Sequence, residues 1–366
     1  MAIVAGCGHS ISGAQPPGPP PPPPPEYAFV SNTADSVVSS FKVDSKTGAL
    51  TFADSVTVGS AGGAMGLAVS HKGQFLYVAN HNSSEVFGFA INASNGKLSP
   101  TAQKSISTGA GTAPLTMATS PDNFLYVLDY ANNQILPYSI SSSGALKSLS
   151  APVPTGKGPV SMVVTPQITA AFVANSIDGT ISGYAIAKNG TLTATGFIGS
   201  LGTVAGEPLW LASDSTGANL YDADAMGMAG GVVSDFTITG NTLTFVNTFS
   251  TGNTAGFPLA LTVNPTVPFV YVANGANNNV SKFTVQSGGL APATLIPGTT
   301  TANSIATDPN GKYLYITDQS EGKIFQGVIN STTGDITPLT PPSVATENPA
   351  NPASSPFQIV VTNASG

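Results

Sequence analysis

From residue 26 onward, apolar residues come in short bursts, each closed by an amide or an acid. The bursts read YAFVSN (27–32), FLYVAN (75–80), FLYVLD (124–129), AAFVAN (170–175), NLYDAD (219–224), FVYVAN (269–274) and YLYITD (313–318). Their closing residues lie 44 to 50 positions apart, and there are seven copies. Each copy follows a short apolar run and a turn, as in MATSPDN (117–123) or IATDPNG (305–311). After it come a polar loop, an alternating stretch, a Gly turn and a further stretch; in the second copy these are HNSS, EVFGFAI, NASNGK and a strand from Leu98. Alternation of period two, β-branched and aromatic enrichment, and regular Gly/Asn/Asp punctuation predict four short antiparallel strands per copy. No segment carries a sustained helical period.

Seven four-stranded units specify an all-β fold, a seven-bladed β-propeller, in which radial closure leaves only short protected edges. The chain ends predict how the ring closes. The first copy has only proline where its leading strand should be, while FQIVVT (357–362) is a leading strand with no copy after it. The C-terminal strand is therefore expected to complete the first blade. One period runs through the whole body, so residues 26–366 are expected to form a single domain.

Composition narrows the chemistry. Only 8% of the 366 residues are charged, against roughly 25% in an average globular protein. All 11 basic residues are Lys, so no planar guanidinium exists to hold a phosphate or carboxylate in two places. A net charge of -7 argues against nucleic acid as a partner. With 41% hydrophobic residues the chain can still bury a large core, and a monomer is expected. No apolar run is long enough to span a membrane.

The first 25 residues read separately. Residues 1–15 hold the sole cysteine in Val4-Ala5-Gly6-Cys7, which resembles the lipobox of bacterial lipoproteins and makes Cys7 the candidate lipidation site. Three residues before Val4 are too few for a signal peptide's basic and apolar regions, so a start upstream is expected. Residues 16–25 hold nine prolines in ten positions, a polyproline II linker that would hold the body roughly 30 Å from an anchor. These features predict an extracytoplasmic protein, lipid-anchored at the cell envelope or secreted, touching a membrane only through its anchor.

The LYVAN core, the SPDG-like turn before it and the TG-L turn after it (Thr47, Gly48, Leu50; Thr333, Gly334) resemble the YVTN-repeat and lactonase propellers, the family that includes bacterial 6-phosphogluconolactonase. The resemblance covers about 340 residues of the chain. It implies a site on the loop-rich face built from a His, a carboxylate and arginines. This chain has no arginine, and its folded body holds only His71 and His81, so that set cannot be assembled.

In an up-and-down blade, the loop entering the first strand and the loop between strands two and three emerge on one face. Sorted this way, that face collects nine acids, including Asp35, Glu85, Asp129, Asp178, Glu207, Asp224, Asp318, Glu321 and Glu347, against Lys157 alone. An acidic mouth disfavours phosphates and concentrates cations. With its many amides, including Asn132, Asn133, Asn277, Asn278 and Asn279, it could hold Ca²⁺, although no consecutive calcium loop is present and no cofactor is required. The acids and amides could equally serve only to end strands and satisfy turns.

His81 with Glu85 four residues on, and Glu207, are the acid-base candidates for water attack on an ester or lactone. Asp129, Tyr130, Asp178, Trp210, Asp224 and Glu321 are the ligand-binding candidates; Tyr130 and Trp210 could stack on a sugar ring, or a lone aromatic could pack between blades. Met226 and Met228 offer an adaptable apolar rim. His71 lies in a turn on the opposite face. There is no GxSxG elbow, HExxH motif or Cys/His metal cluster. The expected function is a binding scaffold whose acidic face takes a protein, a glycan or a small neutral ligand. The alternatives are a lactone hydrolase resembling 6-phosphogluconolactonase and a structural surface module.

Overall fold

The computed structural model describes residues 24–363 except 60–61, 203–204, 227–229, 254–256, 276, 278, 298–300 and 347–354. Cys7 and most of the proline run lie outside the described residues, as do Met228, Asn278 and Glu347. All regular structure among the described residues is strand, arranged in seven antiparallel sheets.

Strands are lettered a to d from the centre of each sheet's stack outward. In blade 1 these are Pro356–Asn363, Glu26–Asn32, Val37–Val43 and Leu50–Thr57, so the C-terminal strand is indeed innermost, with Tyr27 opposite Thr362 and Ser31 opposite Gln358. In blades 2 to 7 strand a is Ala64–Val69, Pro114–Ser120, Pro159–Val164, Pro208–Ser213, Pro258–Val263 and Ala302–Thr307. Each strand a lies beside the next, and Pro356–Asn363 lies between those of blades 7 and 2, which closes the ring. Strand d departs from the four-strand expectation in two blades. In blade 3 it is split into Leu146–Ser148 and Val153–Pro154, and in blade 6 into Gly289–Leu290 and Thr294–Pro297. Pro152 and Pro292 stand in the gaps, where a residue without an N–H cannot extend a ladder.

The repeated hexapeptide is strand b, and it reads as a nearly continuous apolar run because it is covered on both sides. Its odd positions face the following blade and its even positions the preceding one. Thus Tyr27 and Phe29 of blade 1 share a core with Leu76 and Val78 of blade 2, and the pattern repeats from seam to seam. Tyrosines tie the seams. The hydroxyls of Tyr77, Tyr126, Tyr271 and Tyr315 donate to the carbonyls of Gly144, Gly190, Gly334 and Gly48 at 2.7 to 2.9 Å, each in the c–d turn of the next blade. Burial pushes these phenols far up, so each remains a protonated donor.

Candidate functional site

Each hexapeptide ends in Asn or Asp, at Asn32, Asn80, Asp129, Asn175, Asp224, Asn274 and Asp318, and all seven are buried. The side chains tie down the loops of the face above. Asp129 accepts from the N–H of Ala113 and from the side chains of Asn132 and Gln134. Asp224 accepts from the N–H groups of Glu207 and Met226 and from Ser200 Oγ. Asn80 accepts from Asn82 and Ser83 and donates to the Val58 carbonyl. This is turn chemistry, in which a short side chain substitutes for backbone partners. Asp129 and Asp224, expected at a ligand surface, have no exposed area and hold loops instead.

The residue after each hexapeptide donates its N–H to the carbonyl of the residue that leads into strand a. The seven pairs are Thr33–Ser355, His81–Gly63, Tyr130–Ala113, Ser176–Gly158, Ala225–Glu207, Gly275–Phe257 and Gln319–Thr301. They form the rim of the channel mouth. Just inside it, every strand a carries an irregularity that takes its second residue out of the ladder, namely Phe357, Met65, Leu115, Val160, Leu209, Leu259 and Asn303, joined in blades 2 and 3 by the third residues Gly66 and Thr116. All seven are half-buried. A strand flanked by neighbours on both sides can be exposed only toward the channel, so these side chains form a collar of six apolar residues and one amide. Asn303 is held in place by donating to the carbonyls of Pro356 and Phe357. Ile177, Met226 and Phe257, 64%, 52% and 57% exposed, extend the apolar surface over blades 4 to 6.

The remaining candidates distribute around this mouth. His81 is half-buried on the rim, and its Nδ1 is buried without a hydrogen-bond partner. Glu85 does not join it; its Oε1 accepts from Ser105 Oγ at 2.9 Å. Asp35, on the neighbouring blade 1 loop, does have a buried unpartnered oxygen, Oδ2. Gly63 stitches the two loops together, its N–H donating to Thr33 and its carbonyl accepting from His81. Glu207 is exposed on the rim three blades away from His81. Tyr130 is half-buried on the rim beside blade 3. Asp178 accepts from the N–H of Lys157 and lines a cleft of about 500 Å³ between blades 3 and 4, below the 80% exposed Phe197. Glu321 is exposed and pairs with Lys323 at 2.7 Å. Trp210, the residue after the bulge in strand a, is half-buried and packs against the cores on the blade 6 side.

The amides proposed for calcium are engaged with one another and with the loops. Asn132 donates to Asp129, Asn133 accepts from Gly158, and Asn279 donates to Asn253 and Asn277. Among the described residues no group of three or more His, Cys, Asp or Glu side chains converges.

Blade 5 holds two acids that repeat-reading passed over. Asp222 is buried, and desolvation, with the charge of Asp224 adding, raises its carboxyl well above the usual range. Asp235, facing blade 6, is pushed up to about 6 by burial, with the N–H of Phe236 opposing and Asp214 adding. For a raised carboxyl the stabilising contribution is complete below the unfolded value near 4 and is lost as pH climbs through the folded value. The Asp235→Asn variant should therefore match the wild type in Tm near pH 4 and exceed it increasingly up to pH 7. Thermal melts across that window test this; a constant difference between the two proteins would contradict it.

Residues 24–113 match the family model "Lactonase, 7-bladed beta-propeller". No curated protein matches the chain. Among solved structures, a Bacteroides uniformis protein provisionally named a 6-phosphogluconolactonase is 17% identical with a TM-score of 0.78, covering 92% of this chain and 99% of that one. The periplasmic gluconolactonase PpgL of Pseudomonas aeruginosa is 17% identical with a TM-score of 0.76, covering 93% and 100%. Hydrazine synthase of Kuenenia stuttgartiensis is also similar, at 16% identity and a TM-score of 0.62 over 89% and 100%. The chain has the fold of the lactonase propellers, as its repeat implied, and that fold serves more than one chemistry.

Proposed function

We propose that this protein is a lactone hydrolase acting on neutral lactones, with the substrate seated at the channel mouth against the apolar collar. The collar is the observation that carries the reading. A ring of Met65, Leu115, Val160, Leu209, Leu259 and Phe357 offers dispersion and desolvation to an uncharged ring but no cation to a phosphate. The lactonase-type fold and the named neighbours support hydrolysis over the scaffold expected from sequence.

His81 is the general base. It takes a proton from water as the oxygen attacks the lactone carbonyl, and returns a proton to the ring oxygen as the acyl C–O bond breaks, leaving a hydroxy acid. Its loop is pinned through Gly63 to the loop that carries Asp35, while Glu85 is engaged by Ser105 Oγ. The His81→Ala variant should lose about 100-fold or more in kcat on neutral lactones while keeping its melting temperature. Unchanged turnover in that variant would overturn the assignment. The exposed Ile177, Met226 and Phe257 favour a second reading, an apolar-ligand binding scaffold, which saturable lactone binding without turnover would establish.

A further inference from the structure

The fourth position of strand b is Val30, Val78, Val127 and Val173 in the first four blades, and Val272 and Ile316 in the last two, all wholly buried. In blade 5 it is Asp222, equally buried, and neither carboxylate oxygen has a hydrogen-bond partner. Directly across the ladder stands Ser234, also wholly buried, whose Oγ has no partner either. Residues paired across an antiparallel ladder project to the same side. Two positions along strand b, on that same side, is Asp224, whose Oδ2 meets Ser200 Oγ at 2.6 Å. This seam against blade 4 thus gathers two carboxylates and two hydroxyls. The ion pairs among the described residues, Lys282–Asp335 and Lys323–Glu321, lie in other blades.

Two buried acids with no counter-charge, beside an orphaned hydroxyl, are a costly arrangement unless something neutralises them. Every donor is a hard oxygen, and a divalent ion would balance both carboxylates. We propose that Asp222, Asp224, Ser234 and Ser200 bind a hard divalent cation, Ca²⁺ being the best fit, in the seam between blades 4 and 5. The site stands apart from the mouth and its chemistry, but it is tied to the rim. The second oxygen of Asp224 holds the N–H of Glu207, so occupancy would also fix the blade 5 side of the mouth.

The test uses the full chain, stripped with EDTA and titrated with CaCl₂ by calorimetry and by thermal unfolding. Saturable binding at one site is expected, with Tm rising roughly 5 °C at a hundredfold excess over Kd. Asp222→Asn and Asp222→Val should each abolish the binding, whereas Glu321→Gln, at an exposed acid of the same face, should retain it. In EDTA, Asp222→Val restores the residue type of the other blades and should melt above the wild type; saturating Ca²⁺ should close that gap by raising the wild type alone. Calcium binding that survives Asp222→Val would place the ion elsewhere and overturn the proposal. So would a wild type indifferent to millimolar Ca²⁺ and less stable than Asp222→Val in every buffer, for then Asp222 is a buried neutral acid.

Discussion

Truncation after residue 355 is expected to abolish the folded state rather than weaken it. The removed strand, Pro356–Asn363, is the innermost of blade 1 and lies between the strands a of blades 7 and 2. It pairs with strand b from Glu26 to Asn32, and it buries Ile359. Its Gln358 Oε1 accepts from the N–H of Leu67 in blade 2, and the N–H of Ile359 donates to Ser304 Oγ in blade 7. Without it, Ala28, Val30 and Ser31 lose their cover and the ring is left open. Each large apolar side chain left uncovered costs about 1.5–3 kcal/mol, against the roughly 5–15 kcal/mol that holds an ordinary domain. The truncated chain should show no cooperative thermal transition and should be digested rapidly by protease. A circular permutant carrying Pro356–Asn363 ahead of Glu26 through a short turn should melt near the wild type, because Asn363 already lies opposite Glu26. A truncated protein that still melts cooperatively within a few degrees of the intact chain would refute the clasp.

The Gly48→Ala variant should cost about 2–5 kcal/mol. Gly48 sits at φ 76° in the c–d turn of blade 1 and accepts the Tyr315 hydroxyl from blade 7. The left-handed conformation costs a side chain about 1–2 kcal/mol. A Cβ there would also stand 2.2 Å from the Tyr313 ring, an overlap worth about 1–3 kcal/mol in a packed core. Gly240→Ala is the control, with φ 62° and nothing within 4 Å of the added atom, so it should cost only the conformational share of about 1–2 kcal/mol. Urea unfolding of the two variants compares them directly. Equal losses would mean that the seam between blades 7 and 1 yields without resistance.

The repeat made the architecture legible because one hexapeptide performs the same physical task seven times. Its aromatic odd positions and its Val even positions are both buried, and the Gly turn that follows is what the tyrosine of the preceding blade reaches. The site was less legible because parity assigns a loop to a face but not a side chain to solvent. Asp129 and Asp224 end strand b beneath the loop-rich face, and their carboxylates turn inward to hold N–H groups. The warning lay in the column itself, where four Asn and three Asp fill all seven copies, as residues chosen for turn bonding do. Asp222 was visible in the same way, as the one acid in a column of Val and Ile, but it shows only when copies are compared position by position. The collar could not be read at all. It depends on a bulge in each strand a, and Leu115 or Leu259 within an apolar strand carries no sign that it will be turned toward the channel.

The most direct test of the account is the ratio of kcat/KM for glucono-1,5-lactone to that for its 6-phosphate ester, measured on the purified chain. A collar of six apolar residues and one amide, on a face whose loops present Lys157 and the Glu321-paired Lys323, predicts that the neutral lactone is preferred by about tenfold or more, since burying a phosphate without a partner is costly. Equal or better turnover of the phosphorylated lactone would contradict it and would mean that backbone amides and lysine bind the phosphate that this mouth is argued to exclude.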